Sequence, residues 1–394
     1  MRQRFNINQK NVLKKNFPKI IHIWDIDGYV KLSDVSRDKF KILIREYGVI
    51  KLAKELHFDS ETIYSIYSNG RKKGAHSIKH LLKIADFFNY NLETLEEEVT
   101  HYGGKQNNMY EISFPFSLNP LHLRAVAIHG DGSFYYNDKQ NIIKTEWYQS
   151  GERINYMESL LERIIVNNPI KSKIKSMDDN VHSISIPNHL VRLVCNSLNL
   201  ELKHFYSIEF FRMVGKLPPE YIIQVFFQFI VDEGYLRGTT LTVSQKKKWS
   251  RDGFKILLNN LSIDYSKPIN DLHDITIYNY NFPKILNYLE KAISKFGNVA
   301  GLWFKEKEFL DVCKKVDPSH YPLIRESMKI NKEIFKKMKK SKLIFNYQDI
   351  KNFGRNHSQA QKAIRCWRKN GLIKRIGWNK YKILEKDVKQ ITEY

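Results

Sequence analysis

Cysteine is scarce in this 394-residue chain: Cys195, Cys313 and Cys366 stand far apart, and no CxxC pair occurs. That spacing excludes a disulfide framework and a cysteine-ligated zinc site, and leaves buried thiols as the reading. Long apolar runs are also missing. No stretch of 18 or more apolar residues exists, so no segment has the composition of a bilayer-spanning helix. The polar, basic start from Met1 to Lys19 has no apolar signal core, which gives the expectation of a cytoplasmic protein, associated with the nucleoid. Acidic residues are the third deficit. Against 65 Lys and Arg there are 42 Asp and Glu, giving a net charge of +23 and a pI near 9.6. An excess of this size repels itself unless a polyanion balances it, and nucleic acid fits that role better than a membrane surface. Abundant Lys, Ile and Asn show that part of the excess is compositional bias.

What is present suffices for several cores. Hydrophobic residues make up 42% and aromatics 13%, so the chain is not disordered throughout, and its length suits two to four domains. Residues 1–34 form an extension in which Ile20 to Val30 has room for a short strand or two. From Val35 to about residue 100 the pattern is helical. Expected helices are Asp38 to Tyr47, Val49 to Leu56 after the Gly48 break, Glu61 to Ser68 behind an Asp59 or Ser60 N-cap, His76 to Phe88, and Leu92 to Val99. The polar HYGGKQNN, His101 to Asn108, reads as a linker.

Residues 38–95 resemble a helix-turn-helix of the phage-repressor type. Leu52, Ala53 and Leu56 take the packing positions of its first helix, Ile63 and Ile66 those of the second, and Ile78, Leu81, Leu82, Ile84 and Ala85 support both. The resemblance implies that Ser60, Glu61, Thr62, Tyr64 and Ser65 face a DNA major groove, with Asn69, Arg71, Lys72 and Lys73 on phosphates. A small helical bundle for protein contacts is the competing reading.

Between residues 110 and 296 one layout occurs twice: an apolar segment ending in acid–Gly, strand-like alternation, a helix, more strand and a helix. Pro120 to Gly132 opens the first copy and Pro219 to Gly234 the second. A spacing of this length is too long for a solenoid and suits a pseudo-symmetric pair of α+β halves, about 110–217 and 218–296. The stretches LHLRAVAIHGDGSFYY and VFFQFIVDEGYLRG resemble the two signature helices of the LAGLIDADG homing endonucleases of the archaeal type. ISIPNHLVRLVCNSLNLELK and LTVSQKKKWSRDGFKILLNNLSI resemble the later strands and helices of each half, so the likeness spans about Phe114 to Phe296.

That resemblance implies a pseudo-twofold domain with two saddle-shaped antiparallel sheets in the major groove of double-stranded DNA. It implies Asp131 and Glu233 as acids that hold Mg²⁺ or Mn²⁺, each followed by a glycine, Gly132 or Gly234, that closes its helix in the left-handed conformation. Asp232 stands beside Glu233 as a competing acid. Lys203 best matches the family's basic residue near the metals, followed by Lys246 to Lys248 and Lys267. Alternation offers Tyr136, Lys139, Lys144 and Tyr148 on the first sheet, and Arg237, Thr239, Thr242, Ser244, Gln245 and Lys246 in the second half, as DNA contacts. The chain departs from the family at two kinds of position. His129 and Val231 stand where the family name has its first aspartate. Val126 and Gln228 stand where small residues usually let the helices touch, which puts cleavage rather than fold in question.

Residues 300–394 are expected to hold a basic helical stretch, Lys329 to Lys342, and then a winged helix over 341–384. Its helices are Tyr347 to Phe353 and about Asn356 to Asn370, and its wing hairpin pairs Leu372 to Arg375 with Lys380 to Ile383. Gln359, Gln361, Lys362, Arg365, Arg368, Lys374, Arg375 and Lys380 are its DNA candidates, and Ala363, Ile364 and Trp367 its core. The expected whole is a multidomain α+β protein and, with both signature helices in one chain, a monomer. Two functions follow: a metal-dependent site-specific DNA endonuclease, favoured by both acids standing before glycine, and a DNA-binding transcriptional regulator on a silent scaffold, favoured by the flanking DNA-reading domains. An RNA-splicing maturase fits less well, because helix-turn-helix modules read B-form grooves.

Overall fold

The computed structural model describes residues 18–67, 74–104, 109–139, 142–165, 174–178, 180–266, 273–315, 333–341 and 344–354, and residues 360–384 apart from 362, 365, 366, 369–371 and 378. The chain divides into two compact units. The first comprises residues 1–235, 243–262 and 287–306, and the second comprises 236–242, 263–286 and 307–394.

The first unit opens with strand β1 (Tyr29–Leu32) and helices α1 (Asp34–Tyr47), α2 (Val49–Leu56) and α3 (Ser60–Tyr67). Ser33 caps α1 by accepting from the Ser36 amide, and Gly48 at φ 96° turns the chain from α1 into α2, a conformation that favours glycine. Leu52, Ala53, Ile63 and Ile66 are buried where α2 and α3 meet. After a two-residue strand, β2 (His76–Ser77), come α4 (Ile78–Phe87) and α5 (Leu92–Glu97).

Within the expected linker, His101 to Gly103 belong to a strand, and residues 105–108 lie outside the described residues. Val99–Gly103 forms β3 and Met109–Glu111 forms β4, and the sheet order is β2-β1-β3-β4. Polar and glycine residues in HYGGKQNN disguise the strand, but Val99 and Tyr102 face inward, and the Tyr102 hydroxyl donates to Asp27 O at 2.9 Å. Residues 29–32, 99–103 and 109–111 therefore close the helical domain as a sheet.

The next elements follow an α-β-β-α-β-β-α order: α6 (Pro120–Val126), β5 (Gly132–Asn137), β6 (Ile142–Ser150), α7 (Gly151–Ile164), β7 (Ile174–Asp178), β8 (Val181–Ser185) and α8 (Asn188–Ser197). Their sheet is antiparallel in the order β5-β6-β8-β7. After α9 (Ile208–Val214) comes α10 (Pro219–Glu233), which is buried on every side from Ile222 to Val231, as a helix at the centre of a core must be. Helix α11 (Lys248–Asn260) packs on α9 through Gly253, where a Cβ would lie 2.2 Å from the Phe211 ring.

The second unit contains most of a three-stranded sheet, ordered β11-β10-β9 (Asp274–Ile277, Thr240–Ser244, Gly234–Arg237). Helix α12 (Phe282–Phe296) follows β11, and α13 (Glu306–Lys315) comes after it. Farther on, residues 333–341 are helical, and β12 (Ile344–Asn346), β13 (Ile373–Gly377) and β14 (Lys380–Ile383) pair antiparallel in the order β12-β14-β13. Ile334, Phe335, Met338, Phe345, Ile350, Ala363, Ile364 and Trp367 form the core of this part.

Candidate metal centre and nucleic-acid face

The two acid–Gly segments end at one place, by different routes. Helix α10 carries Asp232 and Glu233 in its last turn, whereas α6 stops at Val126 and Asp131 follows in a turn. The expected acid at the end of the first helix is therefore an acid five residues beyond it. Close approach is provided by Gly130, where a Cβ would fall 2.6 Å from Asp232 Cβ and 2.8 Å from Glu233 Cγ. Val126 and Gln228 do not hold the segments apart, because the contact that matters lies past them.

Neither signature glycine is left-handed. Gly234 has φ −83° and ψ 143°, and Gly132 opens an extended strand. Each donates its amide to the carbonyl four residues back, Ile230 O and Ile128 O, and an added Cβ would meet that same oxygen at 2.6 and 2.4 Å. Glycine is required by this crowding as the chain leaves the turn, not by the sign of φ.

Three carboxyls gather here. The Asp131 amide lies 3.5 Å from Asp232 Oδ2, and Asp232 Oδ1 accepts from Trp147 Nε1 at 3.0 Å and Gln228 Nε2 at 2.9 Å. Asp131 Oδ2 accepts from Gln149 Nε2. Glu233 Oε1 accepts from Gln245 Nε2 at 2.6 Å. The second oxygens, Asp131 Oδ1 and Glu233 Oε2, accept no hydrogen bond among the described residues. Burial raises all three carboxyls above their ordinary values, and the charge of Asp131 adds to the effect on Asp232 and Glu233, taking Glu233 to about 7.

Lys305 acts on all three acids, beside Arg153 on Asp131, Lys247 on Glu233 and Arg124 on Asp232. Its Nζ donates to Ile230 O at 2.9 Å and to Gly234 O, and the three acids act on it electrostatically while burial lowers it to about 8. Lys203 does not occupy that place. It is exposed and pairs with Glu201 at 2.5 Å, with Asp138 as its other charge partner. Lys305 escaped sequence reading because it lies beyond both repeated segments, where no motif marks it. Among Lys246 to Lys248, Lys247 meets the site, donating to the Tyr206 hydroxyl at 3.3 Å. Lys267 lies outside the described residues.

The donor set fits a divalent cation. Two carboxylate oxygens without hydrogen bonds, in a desolvated cluster whose acids resist ionisation, are hard ligands short of positive charge. No three His, Cys, Asp or Glu among the described residues form a ready-made cage, so a cation here would complete its shell with water or phosphate oxygens, as Mg²⁺ does.

The first sheet presents one outward face. Register pairs Tyr135 with Lys144, Ser133 with Glu146, and Lys175 with Ser183. Cross-strand partners share a face, so Tyr135, 56% exposed, stands with Lys144. Tyr136 pairs with the buried Ile143 and lies on the opposite face, one residue out of phase with the expectation. Glu146 bridges Lys144 and Lys175 at 3.2 and 3.6 Å, and Tyr148 donates to it at 2.9 Å. Lys139 is exposed.

In the second half Arg237, Thr239 and Lys246 are exposed and Ser244 is half-buried, but Thr242 and Gln245 are buried. Gln245 is committed to Glu233 and to the Lys247 amide, 2.9 Å away, so it cannot also read a base. Ser60, Glu61, Tyr64 and Ser65 are exposed on α3 and Thr62 is half-buried. Gln361, Arg368, Lys374, Arg375 and Lys380 are exposed in the second unit. Asn69, Arg71, Lys72, Lys73, Gln359, Lys362 and Arg365 lie outside the described residues.

No family model matches the chain, and no curated protein matches it. Solved structures of homing endonucleases resemble part of it. A mesophilic variant of I-DmoI is 16% identical, covering 46% of this chain and 100% of its own, at a TM-score of 0.31. I-SmaMI bound to uncleaved DNA with calcium ions is 13% identical over 50% and 90%, at 0.29. The LAGLIDADG meganuclease I-AabMI bound to uncleaved DNA is 13% identical over 53% and 92%, at 0.31. At these scores and identities the likenesses decide nothing about function, which is read from the site itself.

His129 is fully buried among Phe205, Tyr206, Phe210 and Phe211 and contacts Phe205 O at 2.9 Å. Burial lowers it from 6.5 to about 4. Across that window the unfolded chain holds the extra proton, so this histidine removes stability as pH falls, by about 3 kcal/mol for the full shift. Glu233 acts in the opposite sense. Raised from 4.5 to about 7, it takes up a proton in the folded state first, and acidification through pH 7 relieves it. Urea unfolding of Glu233→Gln is therefore expected to lose stability more steeply between pH 6.5 and 4.5 than the parent does. Equal slopes would mean that Glu233 titrates at its ordinary value.

Proposed function

We propose that this protein binds double-stranded DNA and cleaves its phosphodiester backbone with the help of a divalent cation, Mg²⁺ or Mn²⁺. One observation carries the reading: Asp131 and Glu233, from separate repeated segments, meet in one desolvated cluster, each with one oxygen held by a glutamine and the other, among the described residues, without a hydrogen bond. In this reading those two acids hold the cation, and Gln149 and Gln245 fix their orientation. A cation so bound would activate a water molecule and stabilise the leaving oxygen. Asp232 is occupied by Trp147 and Gln228 and acts as a structural neighbour of the pair.

DNA would contact the face of Tyr135, Lys144 and Lys175, and Arg237 and Lys246 of the second half. The helix α3 residues Ser60, Glu61, Tyr64 and Ser65 would be further contacts of a helix-turn-helix, and Lys374, Arg375 and Lys380 those of a winged helix. The protein acts as a monomer in this reading, since one chain supplies both acids. The net charge of +23 supports a polyanionic partner.

Incubating the protein with a randomised double-stranded DNA library in Mg²⁺, beside the same reaction in EDTA, tests the reading. Cut ends at one sequence, appearing only with the metal, are the expected result. Tight, salt-sensitive binding without cutting in either Mg²⁺ or Mn²⁺ would leave a DNA-binding regulator. On the recovered site, Tyr135→Ala is expected to lower affinity about tenfold and relax preference locally, as loss of a base contact of about 1–3 kcal/mol does. Lys246→Ala should weaken binding evenly and reduce the salt slope by about one. Fluorescence anisotropy across a salt series measures both.

A further inference from the structure

Beyond the two acid-bearing segments, the chain returns to the acid cluster. Residues Asn298–Ala300 and Trp303–Lys305 form two short 3-10 turns, and side-chain contacts fasten this stretch to the signature segments and their surroundings. Arg124, fully buried on α6, donates to Gly301 O at 2.6 Å and to Gln224 Oε1 on α10 at 3.2 Å. Its guanidinium lies 4.6 Å over the Trp303 ring. Trp303 meets Trp147 edge-on and stacks on Tyr156, and Phe304 lies under Arg153 at 4.2 Å. This anchoring sets Lys305 on two carbonyls at the carboxyl end of α10, a helix end that favours a cation.

We propose that Lys305 is a built-in counter-cation for the acid cluster, neutralising part of the charge of Asp131, Asp232 and Glu233 in the metal-free protein and competing with a divalent cation for them. Three carboxyls crowd into a desolvated space, and among the described residues Asp131 Oδ1 and Glu233 Oε2 accept no hydrogen bond. Lys247 acts on Glu233 and Arg124 on Asp232, but Lys305 is the cation that acts on all three. Glutamine amides orient the acids but carry no charge. An ammonium held by backbone carbonyls spends two of its three donors on neutral acceptors, so its full charge remains to act on the acids. Arg153 is the second cation acting on Asp131, and it is tied to the same returning segment through Phe304. The competition with metal rests on the nuclease reading, whereas the charge coupling does not.

A double-mutant cycle on the full-length protein tests the coupling without metal. In EDTA, Lys305→Met is expected to lower the melting temperature by several degrees in the parent. In the Asp131→Asn, Asp232→Asn, Glu233→Gln background, where all three acids it offsets are neutral, it should cost much less. Lys305→Arg, which keeps the charge, should stay near the parent in both. In calorimetric titrations with Mn²⁺ and no DNA, Lys305→Met is expected to bind about tenfold more tightly than the parent.

An equal cost of Lys305→Met in both backgrounds would overturn the proposal, because the side chain would then act by packing alone. Unchanged Mn²⁺ affinity in a variant that does show the coupling would overturn the competition. Coupling in a protein that binds no Mn²⁺ in any variant would support the counter-cation and overturn the metal-dependent reading instead.

Discussion

Replacing Asp131 by Asn and Glu233 by Gln together is expected to abolish metal-dependent DNA cleavage, by at least about 10³-fold, while leaving DNA affinity close to that of the parent. The magnitude follows from removing both charged ligands of the proposed cation, when loss of a single preorganised charge-stabilising group already costs about 10²–10³. Binding survives because the residues proposed to contact DNA, Tyr135, Lys144 and Lys246 among them, are separate from the cluster. The same change should raise stability. Glu233 is held near 7, so at pH 8 it is ionised against the environment that raised it. Removing that charge is worth on the order of 1–2 kcal/mol after allowance for solvent screening. A gain in melting temperature at pH 8 together with loss of cutting would be the signature of a site that gives up stability for chemistry. If cutting persisted in the double variant, the acids would not be its ligands.

The second large effect is expected at the two signature glycines. Gly132→Ala and Gly234→Ala each place a Cβ 2.4 and 2.6 Å from a backbone carbonyl, Ile128 O and Ile230 O. A backbone oxygen cannot turn aside like a flexible side chain, so the strand must shift or the hydrogen bond to that carbonyl must break. Overpacking of this kind costs about 1–3 kcal/mol. Each glycine adjoins its acid, so the shift also displaces Asp131 or Glu233 from its glutamine, and activity should fall with stability. Denaturant midpoints and cleavage rates measured on the same preparations check both. Gly377→Ala is the control, because a Cβ there meets Lys380 Cβ at 3.9 Å, ordinary contact, and its backbone is not left-handed. Alanine at Gly132 behaving like alanine at Gly377 would disprove the crowding.

Much of this site was legible in the chain, and the reason is periodicity. Apolar segments with an acid–Gly end identify themselves wherever they fold, because the burial of α10 on all sides and the crowding at Gly234 are local demands written in local sequence. Helices α1 to α5 were legible for the same reason, from capping residues and a 3.6-residue period. The pairing of His101 to Gly103 with Met109 to Glu111 was not, since an inward tyrosine among polar and glycine residues makes too short an alternation to stand out. Alternation also cannot set its own phase. Only the pairing of Tyr135 with Lys144 decides which tyrosine faces outward, because a slip of one residue exchanges the two faces of a strand.

The sequence by itself determined the charge, the two acids and the glycines beside them, since each follows from composition or from neighbours within a few residues. Tertiary structure alone decided which cation meets the acids. Lys203 and Lys305 are equally plain lysines in the chain, but one reaches an exposed glutamate and the other is carried onto the carboxyl end of α10 by Arg124, Trp303 and Phe304. Electrostatic partnership depends on distance in space and on burial, and neither can be read from separation along the chain.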